Sequence, residues 1–388
     1  MPGLPSSREA GRYRGKKQPL LQLLPEVIWE WPGYSQRIPL NRPERNAFRM
    51  SDYSIGVDLG GTNLRIAAVD SDGKLMEKMT LGAEVARGRE FIITEMCKAI
   101  ETLREKYRKT GELHGIGIGV PGFIDMAAGM VMESPNLPDW KSFPVRDEIE
   151  KRLGTPVILE NDANSAAMGE KWLGAGRLYD HIAMYTLGTG VGGGLVFNGR
   201  LWHGMTGMAG ELGHFNIYPD GHPCGCGSRG CLEQYASATA VVRMAKESIA
   251  RGESAELESL SRDSKQFTSR SIYNLAIQGE TAAKRVFESV GKALGIGIGA
   301  MVNALNLPMY VIGGGVSSAW DAFAPAMFEE MKFRSSIYSL TSPDRIGHDK
   351  GTIITRALLG SDAGLYGAAR LPMLEGFSQF EKGRHTTG

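Results

Sequence analysis

Of 388 residues only four are cysteine, and the two signs of charge nearly cancel, 43 Asp/Glu against 44 Lys/Arg. Four cysteines cannot staple a chain of this length, so a disulfide scaffold is excluded. A formal net charge of +1 supplies no field that would draw nucleic acid or an anionic membrane as the main partner. No run approaches the ~18 uninterrupted apolar residues of a membrane-spanning helix. The best early apolar stretch, Leu20 to Trp31, is broken by Pro25, Glu26 and Glu30 and has no small-residue cleavage site behind it, so it does not read as a secretory signal. There is also no G-x4-G-K-[ST] phosphate loop anywhere in the chain.

Glycine, by contrast, is abundant: 51 residues, near twice the usual share of ~7%, without a collagen-like period. Six places hold 24 of the 51, which concentrates them where backbone has to come close to something else. With 42% hydrophobic and 22% charged residues the remainder is that of a globular protein with a sizeable core, in two or three domains.

Residues 1–49 differ from the rest. They hold seven of the 18 prolines and nine Lys/Arg against four acids, and read as a basic, Pro-rich, poorly ordered extension. The pattern changes at Met50, a candidate start of the native chain; a genuine extension is the alternative. From there strands are expected at Tyr53 to Leu59, Leu64 to Val69, Lys74 to Thr80, Gly115 to Val120, Val157 to Glu160, Ile182 to Leu187, Gly194 to Asn198 and Met309 to Ile312. Helices are expected at Arg89 to Lys109, Asp162 to Leu173, roughly 234–251, 271–278 and 280–304, Trp320 to Phe333 and Ser361 to Leu371. Strands mixed with long helices predict an α/β architecture. The likeness of VDLGGTNLRIAAVD to YTLGTGVGGGLVFNG suggests a duplicated strand, glycine turn, strand unit.

Both glycine turns place small residues where a chain reverses, so that backbone N–H groups can converge on an anion. Phosphate is the natural ligand. Gly60, Gly61, Thr62 and Asn63 form the first candidate cradle, Gly188, Thr189 and Gly190 the second, and Gly313 and Gly314 follow a third strand. Asp58, just before the first turn, is placed to hold Mg²⁺ beside the phosphates. In Glu160-Asn161-Asp162-Ala163-Asn164, Asp162 can serve as general base for a hydroxyl with Asn161 orienting it, or simply cap the helix that follows. Cys224, Cys226 and Cys231 lie within eight residues and point to a metal in a reducing compartment. With one imidazole they make a closed, structural zinc site; His214 and His222 are both candidates for the fourth ligand.

In the order DLGGTN, GVPGFID, SPNLPDW, ENDAN, LGTGVGGG, GELGH, CGCGSRGCLE, VIGGGV, the chain from about Ser54 to Leu371 resembles the ROK family of sugar kinases and sugar-responsive repressors. That resemblance implies the two-lobed actin-like, RNase H-like ATPase fold, with a ligand cleft between a small lobe (50–171 plus 361–374) and a large lobe (172–360). It places Asp162 as catalytic base, Asn161, Glu211, His214, Glu233 and Asn136 on the sugar, and His214, Cys224, Cys226 and Cys231 on zinc. ATP and Mg²⁺ are the implied partners of the glycine turns. A cytoplasmic homodimer that phosphorylates glucose at its 6-hydroxyl is the expectation. N-acylhexosamine kinase and fructokinase are the alternatives within the family. A repressor is the alternative outside catalysis, although Pro19, Pro25, Pro32, Pro39 and Pro43 leave residues 1–49 no room for a packed helix-turn-helix.

Overall fold

The computed structural model describes residues 52–374; the expectations placed on residues 1–49 lie outside them. Strands β1 (Tyr53–Leu59) and β2 (Asn63–Asp70) pair antiparallel across the first glycine turn, and β3 (Leu75–Gly82) extends the meander. Helix α1 (Arg89–Tyr107) leads to β4 (Leu113–Val120), which lies parallel to β1. A ribbon of β5 (Phe123–Asp125) and β6 (Met130–Glu133) and helix α2 (Val145–Leu153) precede β7 (Ile158–Asn161), parallel to β4. The first sheet therefore runs β3-β2-β1-β4-β7.

After α3 (Asp162–Trp172) the plan repeats. Strands β8 (Ile182–Leu187), β9 (Val191–Phe197) and β10 (Arg200–Leu201) form the antiparallel meander. Helices α4 (Glu233–Ala236), α5 (Ala238–Ala250), α6 (Ala255–Ser261), α7 (Ser269–Ile277) and α8 (Thr281–Leu305) lead to β11 (Met309–Gly313), parallel to β8. Helices α9 (Trp320–Arg334), α10 (Ser336–Thr341) and α11 (Pro343–Ile346) precede β12 (Ile353–Arg356), and α12 (Ala363–Arg370) follows. The second sheet runs β10-β9-β8-β11-β12, strand for strand the order of the first. The duplication read from the two glycine segments is a duplication of topology.

Each sheet has its own core. In the first, Ile55, Val57 and Leu59 of β1 pack with Ile92, Ile93, Met96 and Ile100 of α1, whose three- and four-residue spacing lays one apolar stripe on the sheet. The second is larger, with Phe287, Val290 and Leu294 of α8 against Phe323 and Met327 of α9. Helices α3 and α12 cross between the sheets. Ala166 and Ala167 of α3 pack on Met184, Val196 and Val311 of the second sheet, while Leu365 and Ala369 of α12 pack on Ala67 and Val69 of the first. The crossing is close enough that a Cβ on Gly367 would fall 1.6 Å from the Ser165 carbonyl oxygen, so glycine is required there.

Two local differences from the sequence reading have simple causes. The expected helix over 234–251 is two: Ser237 adopts an extended backbone and its hydroxyl accepts the Ala240 N–H, ending α4 and capping α5. Helix α2 and strand β12 were not foreseen, being nine and four residues long and too short for periodicity to separate them from loop.

Candidate active site

The parallel strands β1, β4 and β7 end on one edge of the first sheet, and β8, β11 and β12 on one edge of the second. Ligands of open α/β sheets collect at such carboxyl ends. Asp58 lies one residue before the end of β1, Asp162 directly follows β7, the second turn follows β8, and Gly313 closes β11. Gly313 pairs with Thr186 of β8, which puts the third glycine run beside the second turn.

Asp162 opens α3, but the cap is its neighbour. Asn161 is extended, and its side-chain oxygen accepts the N–H groups of Ala163 (2.9 Å) and Asn164 (3.1 Å). The Asn161 amide donates to the Gly122 carbonyl at 3.1 Å. Asp162, a half-buried first-turn residue, shares only the Ala163 N–H, at 2.9 Å to its Oδ1, and leaves the Asn164 N–H to the cap. Burial, then the negative charge of Asp58, push its carboxyl up to about 6; the Ala163 N–H opposes the shift and Glu211 adds to it. Asp58 is itself raised by burial, against an ion pair with Arg65 at 2.9 Å. Glu211 is raised by burial, against His214. Three carboxyl groups thus share one poorly solvated region, an arrangement that favours proton acceptance near neutral pH.

Glu211 precedes the 3-10 turn Leu212–His214. His214 turns Nδ1 toward Cys224 Sγ, 3.7 Å away, and Nε2 toward Glu211 Oε2, 3.9 Å away. The four donor atoms of His214, Cys224, Cys226 and Cys231 lie within 4.8 Å of one another, with Cys226 and Cys231 sulfurs 3.7 Å apart. Thiolates around one tetrahedral ion at ~2.3 Å are ~3.8 Å apart, so the donor set and its spacing fit such an ion. His222 is not in the group; its Nδ1 lies 3.0 Å from the Pro223 carbonyl oxygen. Of the two histidines, His214 is the one whose ring lies among the three sulfurs.

Glu233 joins this cluster to the second glycine turn. Its Oε2 accepts the Val191 N–H at 3.0 Å, and its Oε1 lies 3.8 Å from Cys224 Sγ. A Cβ on Gly190 would come 2.3 Å from that Oε2, so a larger residue there would push the carboxylate aside. The turn is also held from behind: Gly188 and Thr189 carbonyls accept Ala238 N–H and the Thr239 hydroxyl, each at 2.8 Å. No described residue takes the N–H of Thr189 or Gly190. In the first turn Gly60 N–H is bonded to the Asn63 carbonyl, whereas Gly61 and Thr62 are exposed and their N–H groups have no partner among the described residues. Asn136 is exposed and lies against Gly61, on the first turn. Missed in the sequence was Glu160, fully buried and bonded to His203; a glutamate at the end of an otherwise apolar strand was the available signal.

The ROK family model matches residues 54–373. The chain belongs to the ROK family. A glucokinase of Thermotoga maritima is 38% identical over 82% of this chain and 96% of its own length. A ROK family glucokinase from Streptomyces griseus, solved in complex with glucose and AMPPNP, aligns with a TM-score of 0.67 at 34% identity, covering 82% of this chain and 98% of that one. A xylose repressor of Caldicellulosiruptor bescii is 30% identical over 73% of this chain, but 71% of its own length. The two-sheet architecture is that of the actin-like ATPase fold shared by ROK sugar kinases.

Proposed function

We propose that the chain is an ATP-dependent hexokinase acting on glucose at its 6-hydroxyl, with Asp162 as general base. The observation that carries this reading is the Asp162 carboxyl, raised to about 6 at a capped helix start, flanked by Asp58 and Glu211. The near full-length match to glucokinases supports it.

Asn161, Glu211, His214, Glu233 and Asn136 are the proposed sugar contacts, each able to exchange hydrogen bonds with a polyol. The unpartnered N–H groups of Gly61, Thr62, Thr189 and Gly190 receive phosphate oxygens, and the run at Gly313 and Gly314 borders the nucleoside. Because Asp58, Asp162, Glu211 and Glu233 are all acidic, a bare nucleotide polyanion is repelled, and ATP enters with Mg²⁺ near Asp58. Arg65, paired with Asp58, is the cation nearest that position among the bonds described. His214, Cys224, Cys226 and Cys231 hold a structural Zn²⁺, which when bound fixes the His214 tautomer and leaves Nε2 to a sugar hydroxyl. The division into lobes 50–171 with 361–374 and 172–360 is proposed as the moving pair, closing at the α3–α12 crossing to exclude water. The reduced thiol cluster favours a cytoplasmic setting, and no described helix is long and apolar enough to cross a membrane. The proposed assembly is a homodimer, which light scattering on the purified protein tests.

A panel of glucose, mannose, fructose, N-acetylglucosamine and N-acetylmannosamine with MgATP is expected to give the highest kcat/KM for glucose. A preference for an N-acylhexosamine would move the assignment within the family, and specific retention of DNA with no ADP from any sugar would replace it by a repressor. With glucose, kcat is expected to rise as pH increases through about 6 and then level, because the base acts only when deprotonated. A flat profile from pH 5 to 8 would count against Asp162 as the base.

A further inference from the structure

The strand end that delivers Asp162 is held by a side-chain pair to which no role has been given above. Glu160 is fully buried, and its Oε1 accepts the Asn161 N–H (2.9 Å) and the Asn164 amide (3.0 Å). Its Oε2 meets His203 Nε2 at 2.7 Å. Of these three donors His203 alone can carry charge, so it is the group that offsets the cost of burying a carboxylate. The pairing raises the affinity of the imidazole for its proton, against the opposing effect of burial.

His203 stands 43 residues further along the chain, where a loop leaves β10. Its carbonyl accepts the Ala209 N–H at 3.1 Å, closing residues 203–209 into a ring. Across that ring Gly207 packs on Met126 and on the Ile124 carbonyl of the β5–β6 ribbon. Directly after it come Gly210 and Glu211. The Glu160–His203 bond is thus a side-chain link between the segment that ends in Glu211 and the junction that carries Asn161 and Asp162.

We propose that His203 is a positioning residue for the sugar, acting through Glu160 to lock the 203–211 segment, and Glu211 with it, onto the β7–α3 junction. The inference rests on the sugar-kinase reading. It says that acceptor affinity, not nucleotide affinity, depends on an imidazole that touches neither. Both glycine turns and the cysteine cluster lie outside the link, so losing it leaves the phosphate contacts in place.

The test is steady-state kinetics with glucose and MgATP on wild type, His203→Ala, His203→Asn and His203→Gln. In His203→Ala the glucose KM is expected to rise about tenfold, the scale of one charge-assisted hydrogen bond, with kcat and the MgATP KM within about threefold. His203→Asn, whose amide is too short to reach Glu160 Oε2, behaves like the alanine variant and keeps a polar surface if the alanine form is insoluble. His203→Gln places an amide N–H where Nε2 stood and returns the glucose KM to within about threefold of wild type. An unchanged glucose KM in both short variants, an equal loss in both substrates' KM, or failure of Gln to rescue would overturn the inference. A wild type that forms no ADP with any hexose would instead overturn the kinase reading itself.

Discussion

Asp162→Asn is expected to lower kcat for glucose by about 10²–10⁴-fold, the usual worth of a positioned base, while the protein becomes more heat-stable. The first half follows from removing the proton acceptor while keeping a hydrogen-bonding group of the same shape, so the glucose KM stays within a few fold. The second follows from linkage. The folded carboxyl titrates near about 6, above the ~3.9 of an unfolded aspartate. Between those values the native state binds more proton than the unfolded state, so stability falls as pH rises from about 4 through about 6. At pH 7.5 the native state therefore carries the full penalty of a charge crowded by burial, Asp58 and Glu211. Asparagine carries none. Melting curves should show the variant a few degrees above wild type at pH 7.5, the gap narrowing toward pH 4.5. Turnover within tenfold of wild type would remove Asp162 from the mechanism; a lower melting point at both pH values would show that the residue is structural.

Much of this arrangement is legible in the sequence, for reasons that differ by residue. Strands β1, β4 and β8 read clearly because both faces are covered, so their sequences are nearly continuous apolar runs between glycines. The cysteine spacing points to a metal because three thiols so close in sequence have few other uses, and the fold does bring their sulfurs together with the His214 ring. Partner choice was less legible. Nothing local distinguishes His214 from His222, and only the fold turns one ring onto the sulfurs and the other onto the Pro223 carbonyl. The same holds for Asn161 and Asp162: either residue type can cap, and backbone geometry gives the task to Asn161. Glu160 stands out as a glutamate ending an apolar strand, but its partner does not: the bond to His203 spans 43 residues, and a histidine among glycines and methionines carries no pattern. Glu233, expected on the sugar, also accepts the Val191 N–H of the second glycine turn, a connection that spacing cannot reveal.

That connection sets the expectation for the metal cluster. Cys231→Ser, at a fully buried position, or chelation of the wild-type protein, is expected to release one Zn²⁺ per chain and to lower kcat/KM by at least ~100-fold, since the ion would join His214 to the cysteine loop that leads into Glu233. Its backbone bonds, among them Ile217 N–H and Tyr218 N–H to the Gly230 carbonyl, Gly230 N–H to His222 and Cys224 N–H to Ser228, tie the loop to itself, but they do not hold the His214 ring against the three sulfurs. The segment leads straight into Glu233. If that carboxylate supported only the sugar, loss of metal would raise the glucose KM alone. Because Glu233 also holds the Val191 N–H and fills the space under Gly190, the second glycine turn should loosen with it, and the MgATP KM should rise as well. This double effect separates the cluster from His203, whose loss is expected to touch the sugar alone. Re-addition of Zn²⁺ after chelation should restore both constants together, whereas Cys231→Ser should not respond. Full activity in protein shown by elemental analysis to be metal-free would end the structural role assigned to the cluster.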